Sequence, residues 1–137
     1  GHYTHEKSPA ACAAALATIA YIEENKLAEH AKELGLYAKE RMKAMMENHS
    51  LIGDVRGLGL LMGMELVQDR TTRERATDEA EAVMYSALSK GLSFKTTMGN
   101  ILTLTPPLTI TRAEMNKALD ILEESLTEVQ DTLNHKT

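Results

Sequence analysis

The chain has 137 residues, one domain's worth of material, with 43% apolar residues but only 4% aromatic ones and no tryptophan, so its core must be built from aliphatic side chains, methionine and alanine. Fifteen Lys and Arg against twenty Asp and Glu give a net charge of -5 without any long basic block, which argues against nucleic acid or an anionic membrane as partner. A single cysteine, Cys12, excludes an internal disulfide and fits a reducing cytoplasm, and neither a signal-peptide pattern nor a membrane-spanning apolar run is present.

Ser8 followed by Pro9 predicts a helix N-terminus, continued by the run PAACAAALATIAYIEEN. Seven alanines between Ala10 and Ala20 leave little side-chain bulk, so a neighbouring element can approach closely. Cys12 among them is expected as a small packed residue and not as a nucleophile. A second helix is predicted from Leu27 to about Glu47, because Leu27, Ala31, Leu34, Ala38, Met42 and Met45 recur at helical spacing. Gly35 is its weak point.

Next comes DVRGLGLLMGMELV, with glycines at 57, 59 and 63. A phosphate-cradling turn needs such glycines to end a strand and open a helix. Here Leu58, Leu60, Met62, Met64 and Leu66 alternate with the residues between them, which is the period of a strand. The segment, with LIGDVR before it, therefore predicts two strands around a turn near Gly57, with Gly59 and Gly63 where another backbone packs closely.

DRTTRERAT is expected to be a solvated loop. Thr77 is expected to cap a helix closed by Lys90 and Gly91, and the segments LSF and NILTLT around KTTMGN read as two further strands. Thr111 and Glu114 form a capping-box pattern for a last helix, whose stripe of Met115, Leu119, Leu122, Leu126, Val129 and Leu133 suits docking on the sheet. The element order predicts an α+β fold with helices on one face of a small, mainly antiparallel sheet.

Chemistry is harder to find. His2 and His5 lack a cysteine or carboxylate at ligand spacing, His30, His49 and His135 are scattered, and no nucleophile elbow or phosphate loop occurs. By residues alone the chain lacks a complete catalytic set.

Three blocks in order, GHYTHEKSPAACAAALATIAYIEENKL, IGDVRGLGLLMGMELV and GNILTLTPPLTI, resemble the C-terminal portion of class III aminotransferases, enzymes of fold type I that use pyridoxal phosphate. The resemblance covers nearly the whole chain. It implies that residues 1–26 link from an absent large domain and that residues 27–137 form the C-terminal small domain. It further implies a homodimer whose substrates are a small-molecule amino donor and an oxo-acid acceptor, with the cofactor as electron sink. The Schiff-base lysine is expected upstream of Gly1; Lys7, Lys90 and Lys95 do not match its position, so the 137 residues alone are expected to be inactive. Thr4 stands where a family threonine reaches the cofactor phosphate of the neighbouring subunit, although Glu6, Lys7 and Ser8 replace the glycines and asparagine of that motif. Thr103 stands where many members carry an arginine that grips a substrate carboxylate, a grip that threonine cannot supply. Arg56 is expected to pair with backbone or an acidic neighbour. Two alternatives remain: an amino-acid or lactam racemase using the same cofactor, and a freestanding non-catalytic module for binding or self-association.

Overall fold

In a computed structural model, which describes residues 8–134, helix α1 (Pro9–Glu24) starts behind Ser8, whose backbone is extended but whose hydroxyl makes no capping bond. None of the α1 residues is buried, and Leu16, Ile19 and Tyr21 stand exposed. Cys12, expected to be packed, is exposed with them. The chain then turns through Asn25 and Lys26, the latter left-handed with φ 50, into α2 (Leu27–Asn48). The whole predicted stripe of α2 is buried, and so is Gly35.

Gly35 is explained by what lies against it. Strands β1 (Ile52–Leu58) and β2 (Leu61–Leu66) pair antiparallel with Leu58 opposite Leu61, so the two-residue turn is Gly59 and Leu60. The corner expected near Gly57 lies two residues later, because glycine at the first turn position with φ 54 suits a tight hairpin. A Cβ on Gly35 would sit 2.0 Å from the Gly59 carbonyl oxygen. Helix and hairpin thus meet backbone to backbone. Gly63 differs from expectation: a Cβ there would meet the Ile101 side chain at 3.3 Å, not another main chain.

The loop after β2 is pinned and not merely solvated. Asp69 accepts from the Thr71 and Thr72 amides at 2.6 and 2.8 Å, and these bonds, the Thr72 one foremost, hold its carboxyl below the ordinary range. Arg70 Nε donates to the Ile52 carbonyl at 2.9 Å, and Nη2 donates to those of Met46 and His49 at 2.6 and 2.8 Å. A cation there satisfies carbonyls that the end of α2 leaves without helical partners.

Helix α3 (Thr77–Ser89) follows, but Ala76 occupies its N-cap and no side chain caps it, so Thr77 is the first helical residue and not the cap. Strand β3 (Lys95–Thr97) begins after LSF, because Leu92 and Phe94 pack against the core while the ladder to β4 (Ile101–Leu104) sets the register. The antiparallel sheet runs β1-β2-β4-β3. Val55, Met62, Met64 and Leu102 fill its inner face beneath the helices.

Helix α4 (Arg112–Asn134) starts with the predicted capping box: the Thr111 amide donates to Glu114 Oε2 at 2.8 Å and the Glu114 amide to Thr111 Oγ1 at 3.2 Å. Its Met115, Leu119, Leu122 and Leu126 are buried. Beside α2 and α3, the stripe shares one core with Met62, Met64 and Leu102 on the inner face of the sheet, as expected.

Candidate functional site

The outer face of the sheet brings together the polar residues that the core rejects. Cross-strand pairing aligns Arg56 with Gly63, Gly63 with Thr103 and Thr103 with Lys95, one transverse row on the side away from the helices. Beside it, Asp54, Glu65, Ile101 and Thr97 form the next row on the same face.

Arg56 Nη1 donates to Asp54 and Glu65, at 2.7 Å each. The bond to Asp54, then that to Glu65, raises its pKa further above an already high ordinary value. With two carboxylates around one guanidinium, Arg56 is a structural partner, as expected from sequence. At the other end, Thr97 and Thr103 share a hydrogen bond between hydroxyls at 2.7 Å. Lys95 is exposed and makes no hydrogen bond or ion pair with the described residues. On the opposite, helix side of the sheet, the β3 and β4 edge borders a groove of about 530 Å³ whose apolar wall includes Met62, Phe94, Ile110 and Met115. That volume is in the range of small-molecule sites.

The remaining candidates are structural. Lys90 is ion-paired with Glu128 at 2.6 Å, which with the Ser86 hydroxyl holds the Glu128 carboxyl below its ordinary range. His30 Nε2 donates to the Ile110 carbonyl at 2.8 Å, tying α2 to the segment before α4. His49 is buried at the C-cap of α2, with Nδ1 donating to the Met45 carbonyl at 2.9 Å and Nε2 against the Thr127 hydroxyl at 3.0 Å. Among the described residues no group of three His, Cys, Asp or Glu could hold a metal ion. Thr4, Lys7, His2, His5 and His135 lie outside the described residues.

A phosphorylated pyridine cofactor needs a cradle of donors and a reactive amine. The glycine hairpin spends its turn against α2 instead of opening a helix, Lys90 is paired with a carboxylate, and Lys95 is exposed. The described residues therefore do not form that site by themselves.

Residues 3–126 match the family model for class III aminotransferases. The chain belongs to that family. It is 50% identical over 129 residues to an (R)-1-hydroxy-2-aminoethylphosphonate ammonia-lyase of Vibrio splendidus, covering 94% of the chain and 27% of that protein. Over 132 residues it is 46% identical to a leucine/methionine racemase of Thermococcus litoralis, covering 96% and 30%. Its fold matches an amine transaminase from an uncultivated Pseudomonas species, solved in the pyridoxal-phosphate-bound form, with TM-score 0.87, 32% identity and coverage of 94% and 30%. The chain thus spans less than a third of the length of these relatives. Among the described residues no helix is long and apolar enough to cross a membrane.

Sequence reasoning missed two structural residues and one binding candidate. Gly35 read as a helix defect because nothing local reveals the turn packed on it. Arg70 sat in a charged loop, and its contacts to residues 46, 49 and 52 leave no periodic signal. Lys95 belongs to no motif, and only the register of β3 against β4 places it beside Thr103.

Proposed function

We propose that this chain is the C-terminal part of a pyridoxal-phosphate enzyme that, as a cytoplasmic homodimer, moves an amino group between an amine or amino acid and an oxo acid. The observation that carries this reading is the match of almost the entire chain to a cofactor-bound amine transaminase. Membership of an enzyme family favours it over a freestanding binding module. Residues 1–26 would connect to the large domain and residues 27–137 would form the small domain. In support, the core is shared by α2, α3, α4 and the sheet, whereas α1 is apolar on all sides and has no buried residue; a helix of that kind belongs inside a larger protein. Thr4 would bond the cofactor phosphate of the neighbouring subunit, and Thr103 would border the substrate. The 137 residues alone would bind no cofactor covalently and turn nothing over.

A second reading keeps the cofactor but needs no acceptor: ammonia elimination from, or racemisation of, the amino compound. It is favoured by the lyase and the racemase, which share more identity with the chain than the transaminase does. Full-length protein incubated with one enantiomer of an amino donor, with and without an oxo acid, separates the readings. Amino transfer gives a new amine only when the acceptor is present. Acceptor-independent ammonia or loss of enantiomeric purity assigns the second reading, and no change to any amino donor would sink both.

A further inference from the structure

We infer that Asn100 is a positioning residue: its side chain fixes the register of β4 on β2 and so decides that Thr103, and not a neighbour two residues away, stands opposite Gly63. The functional consequence rests on the reading of the full-length protein as an enzyme whose substrate borders Thr103. The sheet is made of two hairpins, β1–β2 and β3–β4, and within each the turn sets the register. Met98 and Gly99, left-handed with φ 56 and 85, lie in the turn of the second. Between β2 and β4 there is no turn, because α3 separates them in the chain. That seam must find its register through side chains.

Alternation alone does not choose it. The run Leu102, Thr103, Leu104, Thr105 repeats every two residues, so a slip of two keeps leucines on the inner face and hydroxyls on the outer one. Only the ends of the run resist. A slip one way brings Pro106, which has no amide proton, opposite Met62. A slip the other way moves Thr103 about 7 Å along the strand to face Leu61. It also carries Asn100 into the place of Leu102, against Met64 in the aliphatic core, where a polar amide loses its partner. In the observed register Asn100 is buried and both main-chain groups of Leu66 engage it: Nδ2 donates to the Leu66 carbonyl at 2.8 Å, and the Leu66 amide donates to the Asn100 carbonyl at 2.8 Å. The Leu66 carbonyl also accepts from the Ala76 amide at 3.2 Å. An apolar residue at position 100 would therefore orphan no carbonyl and would remove the penalty on the second slip. Asn100 contributes the choice between registers more than it contributes stability.

The test uses the full-length protein carrying one of two cysteine pairs. Gly63→Cys with Thr103→Cys places thiols opposite each other in the observed register, and Leu61→Cys with Thr103→Cys does so only after the slip. Mild oxidation and peptide mapping read which bond forms. With Asn100 in place, the first pair is expected to cross-link about tenfold more than the second. Asn100→Leu should abolish that preference at an unchanged denaturation midpoint, whereas Asn100→Ser, still polar, should keep it at a lowered midpoint. A merely structural asparagine would not separate the two readouts in this way. Without the added cysteines, Asn100→Leu should raise KM for the amino donor several-fold with kcat little changed, and Asn100→Ser should not. No preference for the first pair in wild type, or the same preference in wild type and Asn100→Leu, overturns the inference. So does failure of both Asn100→Leu and the smaller Asn100→Val to fold, which would make Asn100 a requirement for folding and not a choice of register. An unchanged KM in a slipped protein strikes the functional consequence. Because cross-linking needs no turnover, inactivity of wild type toward every donor counts against the proposed activity and leaves the register result to decide on Asn100.

Discussion

Helices α1 and α4 are both long and rich in aliphatic residues, yet one is exposed along its length and the other forms a wall of the core. In α4 the apolar positions recur at three and four, and Met115, Leu119, Leu122 and Leu126 are all buried. In α1 apolar residues occupy the whole circumference and none is buried. A patterned helix names the face it will bury; a uniformly apolar one implies burial without saying against what. The difference places the core of the described residues in α2 onward and leaves the apolar surface of α1 uncovered within them.

The sharpest way to break this comparison is at Gly35. Alanine replacing glycine on an open helix surface adds up to about 1 kcal/mol of stability. Gly35→Ala should do the reverse, costing about 3 kcal/mol in urea denaturation, because the new methyl would fall on the Gly59 carbonyl. A stabilised Gly35→Ala protein would mean that hairpin and helix do not touch. Slightly smaller is the cost of Leu122→Ala, about 2–3 kcal/mol from a buried site. Its counterpart Leu16→Ala, on exposed α1, should stay within about 0.5 kcal/mol in the same 137-residue chain. Comparable losses at the two leucines would show that α1 is packed after all. In the full-length protein the gap between them should narrow, as α1 acquires neighbours.

Much of the α4 side of the comparison was legible beforehand because its signals are local. The stripe fixes the buried face, and Thr111 three residues before Glu114 announces the cap. The hairpin was legible as alternation, but its corner was misplaced, since Gly57 and Gly59 are both glycines and only the Leu58–Leu61 pairing chooses between them. Thr77 looked like a cap by residue type alone. Its neighbour Ala76 takes the position because the amide of Ala76 bonds the Leu66 carbonyl, which fixes where the chain leaves β2. The candidate site was less legible. Thr103 was found through resemblance, whereas its place between Gly63 and Lys95 is a matter of register across strands distant in sequence.

Two smaller effects sharpen the picture at the α4 start. Thr111→Ala should cost about 1 kcal/mol, read as a lowered denaturation midpoint with an unchanged slope. The Thr111 amide, then its hydroxyl, holds the Glu114 carboxyl below its ordinary value of 4.5. The group's contribution is therefore fully present above that value and is lost as the pH falls through the lower folded-state pKa. Glu114→Gln should accordingly show its deficit at neutral pH and approach wild type in acid. A deficit that stays constant down to the acid limit would detach Glu114 from the cap.

Arg70 carries a consequence for the order in which the chain takes shape. The carbonyl of Met46 awaits a guanidinium encoded 24 positions later, and that of His49, which also accepts from the Ile52 amide, meets it 21 positions on. During ribosomal synthesis the last turn of α2 accordingly stays unsealed until the β1–β2 hairpin and the residues just after it have left the exit tunnel.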